Sequence, residues 1–250
     1  MLAAQRRQLI LRAVRTDQGA HVVELAQRFG VSEITVRRDL TVLAREGKLT
    51  RVYGGAIGDA DEPPFETTQT ERHDAKERIG RAAALLVADV QTVMIDIGTT
   101  ALEVARGFRG RALTVITSNL AVVDELLGET DIELVLLGGV VRRNYRSLVG
   151  VLAEDALRQV SADVAFIGTS GIRRHDLAVM DTTTVEVPIK RGMIASASRS
   201  VLLADAHKFS SGGVVRICGV EEFDAVVTDA APDQPLVQAV ERAGVEIVRA

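Results

Sequence analysis

The sequence predicts an α/β protein in two parts: a small three-helix head closed by a short hairpin, and a larger body of alternating strands and helices. Three observations predict it. The first 57 residues carry helical spacing broken at Asp17–Gly19 and Gly30. From Thr92 onward, short β-branched runs alternate with helical stretches, the pattern of a parallel sheet covered by helices. Between the two lies Gly58–Arg72, GDADEPPFETTQTER, whose acids, Pro63–Pro64 pair and threonines fit neither period. The expected division is therefore a head at 1–57, a linker at 58–75 and a body at 76–250.

In the head, Leu9, Ile10, Ala13 and Val14 recur at helical spacing and define the first helix. Val22–Phe29 forms a second, Gly30 tolerates the positive φ of a turn, and Ser32 caps a third helix running to about Glu46, ended by Gly47. Lys48–Ile57 reads as two short strands around Gly54–Gly55. In the third helix Ile34, Leu40 and Leu43 are expected to face inward, with Glu33, Thr35, Arg37 and Arg38 outside.

Body strands are expected at Thr92–Ile97, Leu113–Ser118, Ile132–Leu137, Asp163–Ile167, Ser200–Ala204, Asp224–Thr228 and Val245–Val248. Helices are expected at Glu77–Ala88, Thr100–Phe108, Leu120–Leu127, Leu152–Val160, Val185–Ala197 and Pro235–Ala243.

Composition narrows the function classes. With 250 residues and 47% hydrophobic content the chain can bury a sizeable core, which excludes disorder throughout. The lone Cys218 cannot form an intrachain disulfide, and a residue of that kind between Ile217 and Gly219 is expected to be buried rather than reactive. No apolar run reaches the roughly 20 residues needed to span a bilayer, and Met1–Arg15 carries four arginines where a signal peptide needs its apolar stretch. A cytoplasmic protein with no membrane partner is expected. His21, His73, His175 and His207 stand at no recognisable metal spacing, so neither a metal nor a cofactor is expected.

Charge is divided unequally. Residues 1–57 hold ten Lys and Arg against five Asp and Glu, a net +5, whereas the rest of the chain is −9 within a total of −4. A basic head suggests an anionic partner, because phosphate neutralisation supplies most non-specific nucleic-acid affinity. Helix, short helix, glycine turn and capped third helix is the helix-turn-helix plan, whose last helix enters the major groove. An arginine can fork onto guanine and a threonine can touch a thymine methyl. Spacing alone fits an ordinary three-helix bundle with surface arginines equally well; the cap, the basic surplus and the hairpin favour DNA.

The segment VVELAQRFGVSEITVRRDLTVLAREGKLTRVYGGAI closely resembles the winged helix-turn-helix of DeoR-family transcriptional regulators, with its V-S-x-x-T-[VI]-R-R-D-L signature, over about residues 6–57. The resemblance implies that Ser32, Glu33, Thr35, Arg37 and Arg38 approach DNA, and that Arg51, Tyr53 and Gly54–Gly55 form the wing. Many relatives carry His where this chain has Tyr53; either ring can reach a phosphate.

In the body, several expected strands end in small or polar residues, where open α/β sheets bind ligands. The richest is Asp96-Ile97-Gly98-Thr99-Thr100: glycine lets backbone approach an anion, and the following helix start donates hydrogen bonds. Thr117-Ser118-Asn119, Gly138-Gly139 and Gly168-Thr169-Ser170-Gly171 occupy comparable ends, and four sets on one edge point to a ligand pocket. Asp205 and Lys208 can bind a sugar hydroxyl and a phosphate, although spacing alone favours a solvated surface pair.

Residues 76–230 are also similar to the DeoR-family effector domain. The landmarks are Lys76-Glu77-Arg78-Ile79, DIGTT at 96–100, Ser118-Asn119, Gly138-Gly139 with Arg142, Gly150, Gly168, Glu186, Lys190 and DAHKF at 205–209. What this implies is a repressor of sugar-metabolism genes acting on operator DNA; because one small head gives limited specificity, a homo-oligomer presenting two or more heads is expected. Its effector would be a phosphorylated sugar or related metabolite, held by Asp96, Gly98, Thr99, Thr100, Ser118, Asn119, Gly138, Gly139, Arg142, Gly168, Glu186, Asp205 and Lys208. The family's effector domain resembles the ribose-5-phosphate isomerase fold, so a sugar-phosphate isomerase is the alternative. Where those isomerases carry D-G-A-D, this chain reads Ile167-Gly168-Thr169-Ser170; both carboxylates are missing, and binding without catalysis is expected. Relatives also commonly continue the glycine motif as G-[IV]-D, whereas here Arg173 follows Gly171-Ile172. That change removes a hydroxyl contact, adds an anion contact or merely alters a surface loop, the last being favoured.

Overall fold

The computed structural model describes residues 2–16, 20–45, 48–52, 54–57 and 65–250. The chain divides into two units, Met1–Glu62 and Pro63–Ala250.

The first unit runs α1 (Ala3–Thr16), β1 (Ala20–His21), α2 (Val22–Phe29), α3 (Glu33–Arg45), β2 (Thr50–Val52) and β3 (Gly55–Ile57). Its three strands pair antiparallel in the order β1-β3-β2. Gly30 ends α2 in the left-handed region at φ 63°, and the following Val31 N–H donates to Ala26 O at 3.1 Å. Ser32 then caps α3, its Oγ accepting the Thr35 N–H at 3.3 Å. Val36, Leu40 and Leu43 join Ile10, Val14, Val22, Leu25 and Leu49 in the core.

One expectation for this unit is overturned. Ile34 does not face inward; it is 79% exposed, and Val36 fills the core in its place. Positions 36, 40 and 43 stand four and seven residues apart on one helical face, and Ile34, two residues before Val36, points about 200° away. Asp39 is buried and pairs with Arg6 of α1 at 2.6 Å, so the acid of the Arg-Arg-Asp run ties two helices together.

The second unit begins with a helix where a linker was expected. In α4 (Phe65–Thr70), Phe65 is 1% exposed and belongs to the core, its N–H donating to Asn144 O at 2.9 Å. The rest of the element is polar, which hides it from periodicity. α5 (His73–Ala84) starts and stops about four residues earlier than expected, leaving Leu85 exposed in the turn that follows.

From there the chain runs β4 (Thr92–Ile95), α6 (Thr99–Arg106), β5 (Leu113–Thr117), α7 (Leu120–Leu126) and β6 (Ile132–Leu136). A hairpin of β7 (Val140–Arg142) and β8 (Ser147–Val149) leads into α8 (Val151–Leu157) and β9 (Ala162–Gly168). Then come β10 (Gly171–Ile172), β11 (Ala178–Asp181), α9 (Val187–Ala195), β12 (Ala197–Leu203), β13 (Val215–Gly219), β14 (Ala225–Thr228), α10 (Pro235–Arg242) and β15 (Glu246–Arg249).

All seven expected strands form one parallel sheet in the order β15-β14-β12-β9-β4-β5-β6. Both faces are covered. Val93, Ile95, Val164, Phe166, Val201 and Leu203 pack with α5, α6 and α7, whereas Met94, Ala165, Ile167, Leu202 and Val226 pack with α8, α9 and α10. Two antiparallel additions were not anticipated, the β7–β8 hairpin and a three-stranded sheet β10-β11-β13.

Candidate effector site and recognition helix

Strands β9, β4, β5 and β6 are neighbours in the sheet, so the segments that follow them emerge side by side at one edge. That edge gathers buried polar groups. Asp96, fully buried, follows β4 and accepts the Gly168 N–H at 2.9 Å through Oδ2. The same oxygen accepts from Lys190 Nζ of α9, which also donates to Gly168 O at 3.1 Å and lies 3.4 Å from Asp181 of β11. Burial works against the Lys190 ammonium, but the Asp96 and Asp181 carboxylates outweigh it and hold its pKa above the ordinary lysine value.

Asn119 is buried beside them. Its Nδ2 donates to Asp96 O at 3.3 Å and Gly98 O at 3.4 Å, and its Oδ1 caps α7 through the Ala121 N–H at 2.9 Å. Gly98 starts α6 at φ 100°, ψ 169°, a backbone region open to glycine alone, followed by buried Thr99 and half-buried Thr100. Glu186, which precedes α9, accepts from Arg142 of the hairpin and from Ser147 Oγ at 2.7 Å. Burial pushes its carboxyl up, against the pull of Arg142 and Ser147.

A basic group completes the edge. Asp205, at the end of β12, is buried, lies 3.5 Å from Arg72 and caps the short 3-10 turn Ala206–Phe209 that carries Lys208. Lys76 of α5 is 4% exposed and donates to Thr68 O of α4. Burial, reinforced by Lys208 and Arg72 and opposed by Asp205, brings its pKa down to about 8. Burial lowers Lys208 as well, against the attraction of Asp205.

Five side-chain atoms along this edge are buried with no hydrogen-bond partner among the described residues: Asp96 Oδ1, Ser118 Oγ, Thr183 Oγ1, Glu186 Oε2 and Asp205 Oδ2. Unmet buried polar groups are costly, so each calls for a partner such as a ligand, an ion or water.

Of the residues singled out from sequence, Asp96, Gly98, Asn119, Arg142, Gly168 and Glu186 join one hydrogen-bonded network through Lys190 and Ser147, and Ser118 adjoins it through Leu148 N–H donating to its carbonyl. Asp205 and Lys208 are a buried acid and a half-buried lysine, not the solvated surface pair that spacing favoured. Gly138 and Gly139 precede the β7–β8 hairpin, and a Cβ on Gly139 would meet Val149 O at 2.7 Å, so β8 passes close to its backbone. Arg72, Ser147, Asp181 and Thr183 were missed as site residues. Ser147 and Asp181 lie on the antiparallel strands, which left no readable period. Arg173 forms a two-pronged pair with Asp176, at 2.9 and 2.6 Å, which makes its substitution a staple within a surface loop.

A shallow cavity of about 380 Å³ lies elsewhere, lined by Arg191, Arg216, Cys218 and Glu222 among others. Its Arg191 guanidinium is already engaged by the Ile217 and Arg216 carbonyls, and burial raises the Cys218 thiol to about 12. Among the described residues no group of His, Cys, Asp and Glu is arranged to hold a metal ion, and no helix is long and apolar enough to cross a membrane.

In the first unit, Ser32, Glu33, Arg37 and Arg38 are exposed and Thr35 is half-buried. Ser32 Oγ lies 2.9 Å from Thr35 Oγ1, and Arg37 bonds Glu33 at 3.2 Å. Arg51 lies on β2; its side chain and the whole of Tyr53 fall outside the described residues.

Comparison with known proteins is decisive for the family. Residues 6–61 match the DeoR-like helix-turn-helix domain and residues 71–230 the DeoR C terminal sensor domain. The chain belongs to the DeoR family of transcriptional regulators. Among its DeoR-family relatives, the HTH-type transcriptional regulator GlpR of Haloferax volcanii is 32% identical over 99% of this chain and 98% of its own length. The glycerol-3-phosphate regulon repressor of Escherichia coli K12 is 31% identical over 95% of each chain. A putative aga operon transcriptional repressor of Escherichia coli O157:H7 is 29% identical over 98% of this chain and 93% of its own. The relatives are regulators, and this chain is a DNA-binding regulator with a sensor domain, not an enzyme.

Two solved structures overlap the fold. The sorbitol operon regulator SorC of Klebsiella pneumoniae is 12% identical over 94% of this chain and 98% of its own, at a TM-score of 0.42. Ribose 5-phosphate isomerase A of Methanocaldococcus jannaschii is 17% identical over 56% and 55%, also at 0.42. Likeness at that level says nothing of chemistry.

Proposed function

We propose that this DeoR-family member represses genes of sugar metabolism, binding operator DNA through α3 and releasing it when a phosphorylated sugar or related anion occupies the sensor domain. The observation that carries the reading is the set of five buried polar atoms without a hydrogen-bond partner among the described residues, along the edge that also carries Lys76, Lys190 and Lys208. Carboxylate oxygens suit sugar hydroxyls, and buried ammonium groups suit a phosphate. The relatives named as glycerol-3-phosphate and aga repressors support an effector of this class.

In this reading Ser32, Glu33, Thr35, Arg37 and Arg38 of α3, with Arg51 and Tyr53 of the wing, face DNA. The effector lies against Asp96, Gly98, Thr99, Thr100, Ser118, Asn119, Arg142, Gly168, Glu186, Asp205 and Lys208, to which Lys76, Ser147, Asp181, Thr183 and Lys190 are added. One small head reads a short site, so a cytoplasmic homo-oligomer presenting two or more heads to repeated half-sites accounts for specificity.

A thermal-shift panel of phosphorylated sugars tests the sensor. A selective ligand raises the melting temperature at concentrations above its Kd. A panel that leaves the melting temperature unchanged, with operator binding intact and indifferent to the same compounds, contradicts the sensor assignment.

A further inference from the structure

We propose that Ile34 is a specificity-determining residue of the operator contact, reading the methyl group of a thymine in the major groove. The inference rests on the reading that α3 enters that groove, and it names what one exposed side chain does there.

α3 has two clearly different faces. Val36, Leu40 and Leu43 are 0–3% exposed and hold the core of the first unit. On another face Ile34, Arg37, Arg38 and Thr41 follow one another at the i, i+3, i+4, i+7 spacing that aligns side chains along a helix. Ile34 heads this row in the first turn and is 79% exposed, while Arg37 and Arg38 are exposed behind it. Two of the polar members are engaged along the helix: Arg37 bonds Glu33 at 3.2 Å, and Thr41 Oγ1 donates to the Arg37 carbonyl at 2.7 Å.

A single exposed hydrophobic residue is ordinary. Ile34 differs in its place, because recognition helices address base edges from their N-terminal residues. An isoleucine side chain neither donates nor accepts a hydrogen bond, so it cannot serve a phosphate, a guanine edge or an adenine edge. The apolar feature of the major-groove edge is the thymine 5-methyl group. Ile34 followed on its face by two arginines therefore has the composition of a reader in which the arginines fix position or read guanine and the isoleucine buries a methyl. Val23, 50% exposed on α2, lies outside this row.

The test uses the full chain and a duplex that it selects from its own upstream region or from a random pool. Each thymine is replaced singly by deoxyuridine, which removes the methyl group and nothing else, and affinity is read by fluorescence anisotropy. Wild type is expected to lose about 3- to 5-fold at one thymine in a half-site, the worth of one buried methyl. Ile34→Ala loses affinity for the unmodified duplex by a similar factor and becomes indifferent to deoxyuridine at that position, with Ile34→Val in between. Melting temperatures of both variants should match wild type, because the side chain holds no core contact.

The proposal is overturned if wild type shows no uracil-sensitive position, or if Ile34→Ala keeps the same sensitive position at full strength. It is equally overturned if Ile34→Ala binds DNA as wild type does but changes oligomeric state, which makes the residue a protein contact. A wild-type chain that selects no duplex at low salt defeats the operator reading itself, a separate and recognisable failure.

Discussion

Lys76 and Lys190 are both buried ammonium groups, yet their surroundings drive them in opposite directions. At Lys190 two carboxylates outweigh burial and keep the ammonium charged; at Lys76 burial, reinforced by Lys208 and Arg72, outweighs Asp205 and brings the pKa down to about 8. A bound anion favours the charged form of Lys76, so above about pH 8 binding must take up a proton and affinity should fall by up to tenfold per pH unit. Titration calorimetry at pH 7 to 9.5 checks this, and Lys76→Arg should flatten the decline; constant affinity across that range contradicts it. For the free protein the sign is opposite. The folded state holds this proton more weakly than the unfolded chain, so the stability penalty is full below pH 8 and is relieved as pH rises toward 10.5. At Lys190, removing one partner strands buried charge: Lys190→Met should cost about 3–5 kcal/mol in denaturant unfolding, and adding Asp96→Asn should recover part of it. An unchanged midpoint in Lys190→Met would contradict the pairing. The strand-end place of Asp96 was legible in the sequence because a glycine turn follows it, whereas Glu186, which precedes α9, was singled out only through the family resemblance. Ile34 was misread because Leu40 and Leu43 share a helical face with Val36 as well, and apolar type alone does not say which residue joins them.

Elements were legible in proportion to how much of each is buried. The central parallel strands β4, β9 and β14 are mostly apolar runs, since both of their faces are covered, while the edge strands β6 and β15 carry exposed polar residues; all seven were anticipated. β7, β8, β10 and β11 are two to four residues long, too short to display a period. α4 was hidden for a related reason: one residue, Phe65, makes its attachment to the core, within reach of the Arg146 guanidinium 5.8 Å from the ring centroid. Phe65→Ala should therefore cost about 3–5 kcal/mol, the usual loss for a truncated core phenylalanine. Hydrogen exchange should then show α4 amides losing protection before those of the parallel sheet. Retained protection and stability would mean that the polar residues of α4 hold it unaided.

At the scale of the whole molecule, a basic head of net +5 on a body of net −9 makes DNA affinity depend on salt and on a few arginines. Arg37→Ala with Arg38→Ala should abolish operator retention in a gel-shift assay and shallow the salt dependence, while leaving effector-induced thermal shifts intact; normal retention would refute the assigned recognition surface. Any coupling between the domains is reciprocal, so an effector that weakens operator binding must itself bind the DNA complex more weakly by the same factor. The regulator architecture was readable in the sequence because both halves carry motifs whose residue types follow from their chemistry. The identity of the metabolite was not, since carboxylates and lysines recognise a class of compound rather than one member of it.

The most direct test titrates the full chain with a duplex from its own upstream region at low ionic strength, alone and with each phosphorylated sugar that raises its melting temperature. The account predicts tight binding that such a compound weakens about 5- to 150-fold, the usual range of allosteric coupling. No binding to that duplex, with or without any phosphorylated sugar, would contradict it.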